Sequence, residues 1–316
     1  MDMRRLRKKI FGSLTAGIVA LAGTGLAHAA KPTATHLYVF GDSYSDSGAL
    51  LALTTEAVRA HVPGAVILPA KEGSRTYWEG RWSNGPTAVE VLAHQMGVGI
   101  DNYAVGGARS GSGNYDSWLD SWADTGLRSQ VMSYLSGRRQ VDPGALYILG
   151  ASANDFFQKV AFSKPVLERD VAFDSAQDVQ NAVEMLARRG ARRFLILLSY
   201  PLAQVPALAG HPEEVALAEQ FEQDFDRDVR DDLAVLEKTD GITIKWFSVK
   251  EAMEEIVSKA ATYHLTNLTQ PCQPTLPRVG VACRNPSSYL WWDEFHPTHK
   301  VHGIMAGQMA EALSRH

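Results

Sequence analysis

The sequence predicts a three-layer α/β/α sandwich on a mainly parallel, five-stranded sheet. Short continuous apolar runs occur at residues 37–40, 98–102, 146–149, 194–198 and 242–247. Runs of that length read as strands buried on both faces. Longer stretches between them repeat apolar residues every three or four positions, as amphipathic helices do. Such alternation builds βαβ units and a parallel sheet. No break in composition or internal repeat interrupts the 316 residues, so one large domain is expected.

Taken in order, the first strand is Leu37-Tyr38-Val39-Phe40, and Gly41-Asp42-Ser43-Tyr44-Ser45-Asp46-Ser47-Gly48 comes directly after it. The run at 98–102 is the weakest of the five. Helices are expected at 87–96, 127–135, 179–189 and 213–238. In the last of these, Ala218, Phe221, Phe225, Val229, Leu233 and Leu236 mark a core face, and the many carboxylates are its solvated side. A final helix at 297–314 begins with Pro297, whose fixed φ suits a first turn. The Gly-, Ser- and Asp-rich segment 109–124 is expected to loop over the site, with further excursions at 201–212 and 265–288.

Residues 1–29 have the layout of an export leader: basic Arg4, Arg5, Arg7, Lys8 and Lys9, an apolar segment to Leu26, and Ala27-His28-Ala29 as a small-x-small cleavage pattern. A membrane anchor is the alternative, but the segment is short for spanning and rich in glycine. The expected mature domain is 30–316, soluble and exported to the periplasm or the medium. It keeps 26 Lys and Arg against 34 Asp and Glu. That acidic balance argues against nucleic acid or an anionic membrane surface as a dedicated partner. The two cysteines, Cys272 and Cys283, are expected to form one disulfide in an oxidising compartment, two free thiols being the alternative.

Chemistry concentrates in four segments: Gly41 to Gly48, Asn102-Tyr103-Ala104-Val105-Gly106-Gly107-Ala108, Gly150-Ala151-Ser152-Ala153-Asn154-Asp155, and Asp293-Glu294-Phe295-His296. Three of them come after a predicted strand, and the carboxyl ends of parallel strands gather at one edge of the sheet. Ser43, Gly107 and Asn154 are therefore expected to converge. Together the residues make an acyl-transfer site. Ser43 is the candidate nucleophile, His296 its general base and Asp293 the group that orients the imidazole. The N–H groups of Ser43 and Gly107 and the side-chain amide of Asn154 are the candidate oxyanion donors.

These four blocks, in this order, resemble the GDSL (SGNH) esterase/lipase family over nearly the whole mature chain. Arg81 with Trp82-Ser83-Asn84-Gly85, Gly126-Leu127 with Gln130-Val131, and Trp292-Asp293 with His296-Pro297-Thr298 are similar to its larger bacterial and plant-like branch. The resemblance implies a flavodoxin-like sheet and serine ester hydrolysis without metal or organic cofactor. It also implies a small-molecule or lipid ester as substrate, and it places the second-block donor at Gly107 rather than Gly106. Relatives in this branch include lysophospholipases and enzymes that pass an acyl group to an alcohol, so acyl transfer by the same triad is the nearest alternative. A non-catalytic binding relative is the remoter one, set against an intact Ser43, Asp293 and His296.

Other residues receive plainer readings. Asp46 is expected to brace the nucleophile turn. His296, His299 and His302 recur every third residue, but no carboxylate cluster accompanies them, so no metal site is expected and the last two are read as incidental surface residues. Arg81 and Asn84 are candidate braces of the active-site loop, with a surface ion pair or turn contact as an equal alternative. Tyr44, Trp118, Trp122, Trp291 and Trp292 are candidates for lining an acyl pocket, with ordinary packing as the default for each.

Overall fold

The computed structural model describes residues 34–69, 77–162 and 166–315. The expected leader, residues 1–29, lies outside them. The described residues fall within one compact unit, Pro32–His316. Five strands form the central sheet: β1 His36–Gly41, β2 Gly99–Asn102, β3 Leu146–Gly150, β4 Arg193–Leu197 and β5 Thr243–Phe247. They run in the order β2-β1-β3-β4-β5, and every pairing is parallel. All five predicted runs are therefore strands. The inner strands β3 and β4 are apolar throughout their centres because both faces are covered, with Leu146–Gly150 wholly buried. A small second sheet pairs β6 Asn267–Pro271 with β7 Tyr289–Trp291, inside a region expected to be loop.

The helices are α1 Ala49–Arg59, α2 Ala88–Met96, α3 Leu127–Leu135, α4 Ala153–Lys159, α5 Glu168–Arg188, α6 Pro212–Asp240, α7 Val249–Ser258 and α8 His299–Ser314. α5 packs on α3, α4 and α6, while α8 packs on α2 and α7. Right-handed crossovers put these two groups on opposite faces of the sheet. α5 starts eleven residues before the expected 179. Its early turns bury Val171, Ala172, Ser175 and Ala176, whose small side chains make a weak hydrophobic stripe. α1 escaped the periodicity reading for the same reason, since it buries only Leu50, Thr54 and Ala57.

The strand order reverses between β1 and β3, and there the open edge of the sheet forms a crevice. Gly41, at the end of β1, lies opposite Gly150, at the end of β3. A Cβ on Gly41 would sit 2.7 Å from the Gly150 carbonyl oxygen, so this approach requires glycine. Gln130 of α3 locks the same strand end: its amide oxygen accepts the Gly41 N–H (2.8 Å) and its amide nitrogen donates to the Gly41 carbonyl (2.8 Å). Cys272 and Cys283 form the expected disulfide, with Cα atoms 4.8 Å apart. No described helix is long and apolar enough to cross a membrane.

Candidate active site

β1 ends in a turn in which the N–H groups of Ser45 and Asp46 donate to the Asp42 carbonyl (3.0 and 2.9 Å). Ser43 stands at its crest, the only residue of Asp42 to Asp46 that is not buried. Asp46 organises the chain beyond the turn. Its carboxylate accepts the N–H groups of Gly48, Ala49 and Leu50 at 2.7, 2.7 and 3.1 Å, capping the start of α1. It also accepts the Gly106 N–H at 2.7 Å, tying the first block to the second. Asp46 is thus the brace the sequence suggested, and of wider reach.

That last bond bears on the choice between the two adjacent glycines. Gly106 has spent its N–H on Asp46, whereas the N–H groups of Ser43 and Gly107 donate to no described residue. Gly107 has φ +76°, and a Cβ there would fall 2.3 Å from Asn114 Oδ1, so only glycine fits. The third block comes alongside: Asn154 Nδ2 donates to the Ala108 carbonyl (2.9 Å), leaving its second amide hydrogen for another acceptor. Asp155, buried, accepts the Ser110 N–H at 2.8 Å and so pins the glycine loop to α4.

Asp293 and His296 lie on the turn between β7 and α8. His296 Nε2 is 2.8 Å from Ser43 Oγ, and its Nδ1 is 2.8 Å from each carboxylate oxygen of Asp293. Asp293 Oδ1 also accepts the N–H groups of Phe295 and His296 (2.8 and 2.7 Å). A fourth donor has no signature in the sequence: the Tyr77 hydroxyl bonds Asp293 Oδ2 at 2.7 Å, across 216 residues. Burial, and then the negative charge of Asp293, push the Tyr77 phenol far above its ordinary range, so it remains a donor at any working pH. Trp82 covers the imidazole, its ring 5.1 Å from that of His296, and Tyr77 meets Trp82 edge-on at 5.2 Å.

The turn is held from both sides. The Ser83 hydroxyl donates to the Pro297 carbonyl (2.8 Å), and Asn84 accepts the His299 N–H (2.8 Å). Arg81 instead pairs with Glu90 at 2.6 Å and lies over Trp78. Glu294, buried between the two candidate triad members, accepts the N–H groups of Thr275 (2.8 Å) and Leu276 (3.1 Å) in the disulfide loop.

A cleft of about 240 Å³ opens on these groups, bordered by Ser43, Gly107, Asn154 and His296 and walled by Leu68, Trp82, Tyr115, Phe157 and Phe295. Of the aromatic candidates, Trp291 and Trp292 are buried in the core and neither Trp118 nor Trp122 lines the cleft; Tyr44 borders a smaller space beside it. The walls come instead from residues without a motif. His302 departs from its surface reading. It is buried, accepts the Ala88 N–H (3.2 Å) at the start of α2, and burial lowers its pKa to about 3. The histidine triplet is therefore one site residue and two helix-end partners, since His299 faces the Pro86 carbonyl at 3.0 Å. No cluster of potential metal ligands occurs among the described residues.

The family model for GDSL-like Lipase/Acylhydrolase matches residues 37–309, which spans every group just described. The chain belongs to the GDSL-like lipase/acylhydrolase family. It is a carboxylic-ester hydrolase. A GDSL esterase/lipase of Arabidopsis thaliana is 23% identical over 331 residues, covering 89% of this chain and 89% of that relative. A phosphatidylcholine-sterol acyltransferase of Aeromonas hydrophila is 30% identical over 197 residues, or 60% of this chain and 51% of that one. Among solved structures, a GDSL-like lipase from Parabacteroides merdae aligns with a TM-score of 0.47 and 13% identity, over 90% of this chain and 96% of the other. A catalytic mutant of an acetylxylan esterase from Geobacillus stearothermophilus gives 0.46 and 14%, over 89% and 95%. Within the GDSL-like family pattern, Ser43, Gly107, Asn154, Asp293 and His296 are the residues the sequence singled out, and all five meet at one crevice.

Proposed function

We propose that this GDSL-like hydrolase cleaves carboxylic esters through an acyl-enzyme on Ser43. The observation that carries the reading is the unbroken line from Ser43 Oγ to His296 Nε2 (2.8 Å) and from His296 Nδ1 to Asp293 (2.8 Å), beside two unengaged backbone N–H groups. Ser43 Oγ attacks the ester carbonyl carbon while its proton passes to His296 Nε2. The oxyanion is met by the N–H groups of Ser43 and Gly107 and by Asn154 Nδ2. The tetrahedral adduct collapses, the bond to the alcohol oxygen breaks, and His296 returns the proton to the departing alkoxide. Water then enters from the vacated side, gives a proton to His296, and displaces Ser43, which recovers its proton as the acid leaves. Asp293 keeps Nδ1 protonated and stabilises the imidazolium.

Ser43→Ala is expected to lower kcat by roughly 10⁶ with the fold intact, and fluorophosphonate labelling should vanish with it. Full esterase activity in the folded variant would sink the assignment. Transfer of the acyl group to an alcohol rather than to water is the second reading, favoured by the 30% identity to the acyltransferase. Incubation with a phospholipid and a sterol separates the two, since free fatty acid alone as product rules against transfer. Export after removal of residues 1–29 is part of the same reading, supported by the disulfide, which suits an oxidising compartment. N-terminal sequencing of the mature protein tests it, with a start at Ala30 expected.

A further inference from the structure

A second space opens on the other side of Ser43. It measures about 50 Å³, against about 240 Å³ for the main cleft, and Ser43, Asn154 and His296 border both. Phe157 and Phe295 also face both spaces, and their rings meet edge to face at 5.2 Å. They form a partition with the reacting atoms at its end. Beyond it the small space is closed by Tyr44, Tyr200, Leu202 and Val205, none more than 8% exposed. The main cleft ends instead at Tyr115, which is 49% exposed.

We infer that the small closed pocket is the acyl site and the open cleft the alcohol site, so that the enzyme is selective for esters of short acids. The inference rests on the proposed acyl-enzyme and on the traffic that such an intermediate requires. The alcohol must depart while the acyl group stays on Ser43, and water must take the alcohol's place next to His296 Nε2. Only the open side permits both. The acyl group, held through two steps, occupies the closed side, where it is kept from water. At about 50 Å³ the pocket is about a fifth the size of the cleft and suits a small acyl group. Acetyl to butyryl groups fit.

The end wall is not free to yield. After β4 come two short 3₁₀ turns, Leu202–Gln204 and Pro206–Leu208; Leu202 begins the first and Val205 joins the two. The Ala203 N–H is held by Glu222 (3.0 Å) and the Ala207 N–H by the Glu294 carbonyl (3.0 Å). Tyr200 packs against Tyr44 with tilted rings 4.4 Å apart, and the Tyr44 hydroxyl donates to the Phe295 carbonyl at 3.0 Å. A longer chain would have to break this lattice. On the alcohol side the walls are largely aromatic and aliphatic, and among the described lining residues Asp116 is the only carboxylate, which disfavours anionic alcohols.

Two ester series on the full-length protein test the assignment. With p-nitrophenol held constant, kcat/KM should be highest between acetate and butyrate and fall about tenfold or more by hexanoate, since a methylene that meets a closed wall costs about tenfold or more. With acetate held constant, kcat/KM should rise from methyl to benzyl and phenethyl esters. Leu202→Ala and, separately, Val205→Ala should move the acyl limit outward by one or two carbons. A profile flat or rising through octanoate overturns the inference, as does acceptance of long acids with only small alcohols. So does an acyl limit unmoved in both folded variants. Absence of turnover on every ester, with Ser43 refractory to fluorophosphonate, overturns the hydrolase reading instead and this one with it.

Discussion

The two halves of the site are fixed by different means. Ser43, Gly107 and Asn154 lie just past the ends of β1, β2 and β3, and backbone pairing within one sheet sets their spacing. Asp293 and His296 sit on a turn that belongs to no central strand. Side-chain bonds to distant segments add to its own backbone bonds: Tyr77 on Asp293, Ser83 on Pro297, and Glu294 on the backbone of the disulfide loop. The nucleophile side leans on few side chains beyond its glycines, chiefly Asp46, Gln130 and Asp155. The base side depends more on individual side-chain hydrogen bonds, each removable by one substitution.

The comparison is broken most severely at the proton relay. Asp293→Asn should lower kcat by about 10⁴, because an amide favours the wrong imidazole tautomer. Steady-state kinetics checks this, and a loss under tenfold would detach Asp293 from the relay. On the nucleophile side, Gly107→Ala should cost about 10² to 10³ in kcat by displacing one oxyanion donor. Its methyl group also collides with Asn114 Oδ1 at 2.3 Å, so a lower Tm is expected alongside. Tyr77→Phe is milder. Losing one hydrogen bond to a charged group should lower kcat about tenfold with KM unchanged. A change confined to KM would make Tyr77 part of the cleft rather than a positioning residue.

The smallest effects concern stability against pH, where each half buries a titratable group and burial shifts the two in opposite senses. Burial raises Asp42, behind the nucleophile, to about 7, and lowers His302, behind the base turn, to about 3. Asp42 binds its proton more readily folded than unfolded, so its contribution is lost as pH rises from about 4 to 7. His302 is protonated more readily unfolded, so its contribution is lost as pH falls from about 6.5 to 3. Asp42→Asn should flatten the alkaline decline of Tm relative to wild type, and His302→Asn the acid decline. Each limiting slope is about 1.4 kcal/mol per pH unit. Parallel melting curves for wild type and variant at pH 4, 5.5 and 7 read the difference directly.

The same contrast governs what the sequence disclosed. Strands buried on both faces leave continuous apolar runs, so β1, β3 and β4 were legible outright, while the partly exposed edge strands β2 and β5 left weaker ones. Ser43, Gly107 and Asn154 come after such runs, and Asp293 and His296 are near neighbours in one turn, so local pattern exposed all five. Tyr77 was not legible, because its role depends on a contact 216 residues away that no spacing records. Phe157 and Phe295 look like any core aromatic in the sequence, and only the fold sets them ring against ring between the cleft and the smaller pocket. His302 misled because its helix presents a polar residue inward to serve the Ala88 N–H, a case where hydrogen bonding outweighs amphipathic pattern.

The loop that carries Gly107 has one more consequence. The Gly107 carbonyl accepts the Tyr115 N–H at 2.7 Å, and Asn114, against which Gly107 is packed, accepts the Asp116 N–H at 3.0 Å. Cleft wall and glycine loop are thus parts of one piece, whereas Leu202 and Val205 stand after β4 in a segment whose Ala207 N–H bonds the Glu294 carbonyl of the base turn. On the proposed roles, change in acid preference at 202 and 205 is made beside the turn that carries His296, and change in alcohol preference at 115 and 116 in the segment that carries Gly107. Over a lineage of such enzymes, neither trait would drift without some cost to turnover.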